Sequence, residues 1–449
     1  MPEQFDVVII GAGTGGETVA YRTQAGGKRV AIIERELIGG ECAYWACIPS
    51  KGLIRPSEII WQAEHTAGMG KPAIDWHQIA AYRDFLVREF DDQRQVKDFD
   101  AHDITFIRGE GRIESAGTVT VGDRLLRTEH IVIATGSQPV IPPIPGLREA
   151  GYWTNREATS ARAVPASLII VGGSAQAIEL AHMFQTYGSQ VTLIHRGERL
   201  LTREQPDLGD AVAAHLRETG VDVRLGTEPV QVEKLPGGER VVTLKDGSRV
   251  TAQELLLATG RSPRTEGIGR ERINVQVNPR GVAVNVLCAV APNVWAVGDV
   301  TGVGLFTHIA GYQARVVADN ILGKTRRADY RAVPRVVFTA PEIAATGLSS
   351  EQAKAQGLAV ATSVVDLYEE TARPVTYGKD IPARLGLIAD RERRVLVGAW
   401  AYGPEAGEWI HVAVLAIRAE VPLDILSDVI EQFPTFSEGY VYAVEKLNL

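Results

Sequence analysis

Apolar positions near the start of the chain fall into two short unbroken runs separated by a stretch with helical spacing. Val7 to Ile10 is continuously apolar, the pattern of a strand covered on both faces in a parallel sheet. The whole segment FDVVIIGAGTGGETVAYRTQAGGKRVAIIERE reads strand, glycine turn, helix, strand. The same order returns from Leu168 in LIIVGGSAQAIELAHMFQTYGSQVTLIHRGERLL. Two further related segments, IVIATGSQP (131–139) and LLLATGRSP (255–263), each follow one of these units. VWAVGDVTG (294–302) reads as one more strand, ending at Asp299. Beyond Pro334 the glycine turns stop, and GEWIHVAVLAIRAE has the apolar spacing of an amphipathic helix.

Gly11, Gly13 and Gly16 form G-x-G-x-x-G directly after the first strand, and Glu34 closes the second. That combination is a dinucleotide fingerprint: glycines permit the tight turn and the approach of a pyrophosphate, and the acid takes a ribose hydroxyl. Its repetition predicts two similar nucleotide-binding domains in one chain. The second turn departs from the pattern, carrying Gly172, Ser174 and Ala177. Its following strand ends in His195 and Arg196, with Arg199 and Arg203 close behind and no acid at the expected place. Cations there suit the 2′-phosphate of NADPH rather than the free ribose of NADH, so NADPH is the expected nicotinamide. The competing reading is a solvated basic loop.

Composition narrows the class. The chain has 449 residues, 45% hydrophobic and 23% charged, with a net charge of −8. At about 150 residues per domain this suggests three domains. An acidic balance disfavours a nucleic-acid partner. No run approaches the ~18 apolar residues of a membrane span, and no basic leader precedes the first strand, so a cytoplasmic location without membrane contact is expected. The three cysteines, Cys42, Cys47 and Cys288, are too few for a disulfide framework.

The stretch GGECAYWACIPSK, with Gly40, Cys42, Cys47 and Lys51, is the most specific motif in the chain. Together with GAGTGG, the two ATG segments, AVGD, FTAPEIAATGL and the terminal FPTFSE, it resembles the class I pyridine nucleotide-disulfide oxidoreductases along essentially the whole chain. The resemblance implies an α/β fold: two Rossmann-like domains for FAD and NAD(P), and a C-terminal α+β dimerisation domain. The expected divisions are 1–150 and 265–332 for FAD, 151–264 for NAD(P), and 333–449 for the interface. It implies a homodimer whose active site is completed by the other subunit, with a small-molecule acceptor.

The resemblance also implies a redox disulfide, Cys47 facing the flavin and Cys42 meeting substrate. On a regular helix positions 42 and 47 would exceed the ~7 Å Cα limit for a disulfide, so the segment must be distorted, at a helix start. A helix N-terminus also lowers a thiol's pKa. Lys51 and Glu179 match the family's lysine–acid pair beside the flavin, the alternative being two solvated charges. Asp299 matches the acid on the flavin's ribityl or ribose hydroxyls, and His308 marks a helix start aimed at the flavin pyrimidine. Thr135, Gly136 and Gly260, in the two ATG segments, complete the expected cofactor contacts. Cys288 reads as a small core residue.

One departure is chemical. The family's reductases end in H-P-T-x-S-E, whose histidine and glutamate form a proton-handling dyad. Here the stretch is Phe433-Pro434-Thr435-Phe436-Ser437-Glu438, so the acid remains and the base is gone. Losing a general acid/base costs typically ~10²–10⁴ in rate. The expectation is therefore electron flow from NADPH through FAD and Cys42–Cys47 to an acceptor that needs no such base. Alternatives are a quinone or metal reductase, or reductive thioether cleavage with carboxylation as in the ketopropyl-coenzyme M carboxylase branch. That branch also carries phenylalanine for histidine and a G-G-S-x-x-A turn, but lacks the I-P-S-K ending.

Overall fold

The computed structural model describes residues 2–449, which divide into two compact units. The first comprises residues 2–50, 81–140 and 260–329; the second comprises 51–80, 141–259 and 330–449.

In the first unit, strand Glu3–Ile10 pairs in parallel with Val30–Glu34 on one side and Arg124–Ile133 on the other. Ile104–Arg108 and Val294–Ala296 extend the sheet in parallel beyond these. The continuous apolar run of the first strand is explained by its surroundings. Val8 and Ile10 join one buried cluster and Val7 and Ile9 another, so both sheet faces are covered. Cys288 is wholly buried in the second of these clusters. The helices Thr14–Ala25 and Thr307–Ile321 pack on the face that includes Val7 and Ile9. The AVGD strand ends at Ala296, and Asp299 lies beyond it in a short 3-10 turn, Gly298–Thr301, rather than on the strand as the sequence reading had it.

The second unit holds a four-stranded parallel sheet, with Ser167–Val171 flanked by Gln190–Ile194 and Glu254–Leu257, and Asp222–Arg224 at the edge. It also holds a five-stranded antiparallel sheet in the order Arg335–Val337, Glu342–Gly347, Val395–Gly403, Arg384–Asp390, Val360–Asp366. The expected amphipathic helix is two pieces, Ala406–Trp409 and His411–Ala419. The nucleotide fold and the C-terminal sheet share one core, in which Phe184 and Leu193 are clustered with Val337, Ile343 and Trp400. Leu53 and Ile54, on the long helix Cys47–His65, belong to that same core. For this reason residues 51–80 group with the second unit, although the sequence divisions had them inside the first domain. No helix among the described residues is long and apolar enough to cross a membrane.

Candidate active site

The first glycine turn is shaped by contacts that exclude side chains. A Cβ on Gly16 would stand 1.9 Å from the Gly11 carbonyl oxygen, so helix and strand meet there only through glycine. Gly13, the N-cap of helix Thr14–Ala25, is different, because a Cβ there would meet nothing within 4 Å. The protein's own packing does not require that glycine, which leaves room for a bound group at the helix N-terminus. Glu34 closes the loop: its carboxylate accepts the backbone N–H of Ala12 and that of Glu36, each at 2.8 Å. Gly40 lies alongside, in a strap whose Gly39 N–H donates to the Ala12 carbonyl at 2.7 Å.

The cysteine segment is broken where spacing demanded it. A short helix Gly40–Tyr44 stops at Trp45, and the long helix starts at Cys47. Cys47 Sγ lies 3.2 Å from Thr307 Oγ1, the first residue of helix Thr307–Ile321. Two helix N-termini therefore meet at this sulfur, and their positive ends favour negative charge on it. His308, singled out from the sequence, is exposed and stacks on Phe306, while Thr307 makes the contact with Cys47.

A polar chain runs from the residue beside Cys42 to Asp299. Arg261 approaches the Glu41 carboxylate at 3.4 Å and donates through Nε to Ser137 Oγ at 2.7 Å. Ser137 in turn donates to Asp299 at 2.6 Å. Burial pushes the Asp299 carboxyl up, while Ser137 and Arg261 pull it back. Thr135 donates to the Arg264 carbonyl at 2.6 Å, and the Gly260 carbonyl accepts the Val140 N–H at 3.0 Å, so the two ATG segments are stitched together across Gly136.

In the second unit, Lys51 Nζ donates to Glu179 at 2.8 Å and lies 4.6 Å from the centre of the Phe338 ring. The second glycine turn holds Gly172 and Ser174, the exposed N-cap of helix Ala175–Thr186. Ala177 occupies the place equivalent to Gly16 and is fully buried. His195 packs its ring against Gly173, and its Nε2 is buried without a hydrogen-bond partner. Burial pushes this imidazole down, and Arg196 adds to the effect. Arg196 is exposed, whereas Arg199 is paired with Asp210 at 3.0 Å.

At the C-terminus Phe433 is 66% exposed. Glu438 is turned back on its own loop, accepting the Thr435 N–H at 2.8 Å. Tyr440 is no proton donor to solvent. It is wholly buried, its hydroxyl donates to the Trp409 carbonyl at 3.1 Å, and burial pushes its phenol up.

The pyridine nucleotide-disulphide oxidoreductase profile matches residues 5–314, and the dimerisation domain of the same family matches 333–444. The chain belongs to this family. A mercuric reductase of Staphylococcus aureus is 31% identical over 444 residues, covering 97% of this chain and 81% of its own. A dihydrolipoyl dehydrogenase of Thermus scotoductus is 31% identical, covering 99% and 97%. Among solved structures, the Cu(II) complex of the HOCl-induced flavoprotein disulfide reductase RclA from Escherichia coli superposes with a TM-score of 0.88 at 28% identity, covering 99% of each chain. Like other members of its family, this pyridine nucleotide-disulphide oxidoreductase is an FAD-dependent oxidoreductase that also uses a pyridine nucleotide, and it carries the family's dimerisation domain.

Arg261, Ser137, Glu41 and Thr307 escaped the sequence reading. The first two sit within the repeated ATG segments, directly after Gly260 and Gly136, so the repeat itself was the signal that could have found them. Glu41 and Thr307 carry no pattern of their own.

Proposed function

We propose that this enzyme uses NADPH and bound FAD to keep a Cys42–Cys47 pair reduced, and that the pair reduces a thiophilic metal cation. The observation that carries the proposal is the C-terminal loop: Glu438 is occupied by the Thr435 N–H, and Phe433, which the family resemblance places at the base's position, is exposed beside it in sequence. Reducing a disulfide breaks an S–S bond, and the departing thiolate must collect a proton. Reducing a metal cation needs none. Two thiolates bind the cation, form the S–S bond between themselves, and release two electrons to the metal. One Hg(II) or two Cu(II) would balance the step. Mercuric reductases among the relatives, and the Cu(II)-bound RclA structure, support a metal acceptor. Metal capture on this reading rests on Cys42 and Cys47, because Cys288 is buried in the core of the first unit.

The open space at Gly13, the Glu34 carboxylate and the buried Asp299 suit FAD, with Thr135 and Gly136 beside them. A flavin bound there supplies two-electron transfer between nicotinamide and dithiol. Arg196 would take the 2′-phosphate, and the exposed Ser174 hydroxyl a pyrophosphate oxygen. Cys47 would hold thiolate charge at the two helix ends, and Cys42 would meet the acceptor. Phe433, with the exposed Ile430 nearby in sequence, would enter the other subunit's site in the homodimer.

The deciding experiment is steady-state NADPH oxidation by the pure enzyme with Hg(II) or Cu(II), compared with lipoamide, glutathione disulfide and thioether ketones. Metal-dependent turnover abolished by Cys42→Ser is expected. Efficient turnover of the disulfides, with none on metal, would overturn the proposal.

A further inference from the structure

The six-residue redox segment is held from outside by a backbone turn, Arg88–Phe90. Helix Gly40–Tyr44 ends at Trp45, whose φ of −134° and ψ of −2° break the helical path before Cys47. Were the helix continuous, a rise of about 1.5 Å per residue and the turn of the helix would put the two Cα atoms roughly 8.6 Å apart, past the reach of a disulfide. The break is therefore a condition of bond formation.

Phe90 packs on both residues at the break. Its ring centre lies 6.2 Å from that of Tyr44 and 6.0 Å from that of Trp45, and Tyr44 and Trp45 are themselves 5.7 Å apart. Tyr44 is wholly buried beneath them. The backbone that presents Phe90 is costly. Arg88, Glu89 and Phe90 are consecutive non-glycine residues with φ of 52°, 51° and 61°. L-residues rarely adopt this region even singly, and such strain persists only where the surroundings impose it.

The surroundings here do so. The Phe90 and Asp91 N–H groups donate to the Val87 and Arg88 carbonyls at 2.9 and 2.8 Å. The Asp92 carboxylate, itself buried, accepts the Ile38 N–H at 2.8 Å and Arg108 at 2.6 Å. The turn is thus tied to the chain just ahead of Gly40, on the other side of the same segment.

We propose that the left-handed turn Arg88–Phe90 is a clamp in which Phe90, as a positioning residue, wedges Tyr44 and Trp45 to hold the helix break open and so sets the dithiol–disulfide equilibrium of Cys42 and Cys47. This rests on the reading of those cysteines as the redox pair. Without the ring, the linker relaxes toward continuous helix, the cysteines separate, and the disulfide is disfavoured relative to the dithiol.

The test uses the full-length FAD-loaded enzyme equilibrated in glutathione buffers, where protein dithiol plus glutathione disulfide gives protein disulfide plus two glutathiones. Thiol trapping and peptide mass mapping read the oxidised fraction. Phe90→Ala should lower the equilibrium constant for disulfide formation about tenfold, a potential about 30 mV less reducing. Phe90→Tyr should restore the native value. Glu89→Gly, which relieves strain but keeps the wedge, should leave it unchanged. Should Phe90→Ala not fold, Phe90→Leu keeps apolar volume without the ring and should shift the constant in the same direction. An unaltered constant in a folded, flavin-loaded Phe90 variant overturns the clamp. Absence of any Cys42–Cys47 disulfide in the oxidised native enzyme overturns instead the redox reading beneath it.

Discussion

The Glu179 carboxylate is shared between a cation and a backbone amide: one oxygen accepts Lys51 Nζ at 2.8 Å and the other the Phe338 N–H at 3.0 Å. The two partners are unequally solvated, with the Lys51 side chain 37% exposed and that of Glu179 only 7%. Removing the lysine strands a buried charge, while removing the acid frees a cation that water can reach.

Lys51→Met should therefore destabilise the protein more than Glu179→Gln does. We expect about 1–3 kcal/mol for the former, discounted for the exposure of the lysine, and less for the latter. Urea denaturation of the two variants decides, and the reverse order would contradict this account of the pair.

Reduction of the enzyme by two electrons should produce a long-wavelength charge-transfer band from the Cys47 thiolate to the flavin. Cys47 lies at the start of its helix and against Thr307, where negative charge is favoured. Cys47→Ser should abolish the band with FAD still bound. An unchanged spectrum in that variant would rule out the assignment.

NADPH should reduce the flavin faster than NADH at equal concentration. Arg196 is exposed just beyond strand Gln190–Ile194, and the position where NAD-selective folds carry an acid holds none. Arg196→Glu should weaken NADPH more than NADH, by about tenfold or more for a lost charge-assisted phosphate contact. Stopped-flow reduction with both nucleotides provides the comparison.

Phe433→His restores a titratable group five residues before Glu438. Disulfide reduction should rise toward the ~10²–10⁴ span of general acid/base catalysis. The gain should lie at the low end, because Glu438 must first leave the Thr435 N–H before it can orient an imidazole. Reoxidation of the reduced enzyme by lipoamide measures it, and no change would show that Phe433 only shapes the pocket.

Acid should destabilise the second unit well above the carboxylate range. His182 and His215 stand with ring centres 5.6 Å apart in the core, and burial pushes them down to about 3 and about 4. His215 is also lowered by the charge of His65 and partly raised by a bond to the Ala340 backbone. The unfolded chain binds these protons near pH 6.5 and the folded one does not, so their effect is absent above that pH and grows as pH falls toward about 4. By pH 4 the loss is of order 3 kcal/mol per imidazole. Urea midpoints from pH 7 to 4 should show this slope, and His182→Leu should flatten it.

The fold was legible because its periodicities are unusually clean. A strand with both faces covered must be apolar throughout, and Val7 to Ile10 is. The break between Cys42 and Cys47 followed from helix geometry once the family resemblance implied a disulfide between them. What stayed hidden depends on contacts far apart in sequence. Nothing local marks Phe90 as a neighbour of Trp45, or Thr307 as the residue at Cys47. Leu53 and Ile54 fall with the second unit because they pack into a core whose other members lie more than a hundred residues away.

The two glycine turns, alike in sequence order, differ in how replaceable they are. At Gly16 even a methyl group would collide with the Gly11 carbonyl, whereas the second turn already carries one at Ala177. A ligand kept for the lifetime of the protein can rely on a seat that tolerates no variation. A ligand that must leave after every cycle is served by a looser one. On the proposed assignment of the two cofactors, the first turn houses a permanent tenant and the second a visitor, and random mutation should change the enzyme's choice of visitor long before it loosens the tenant.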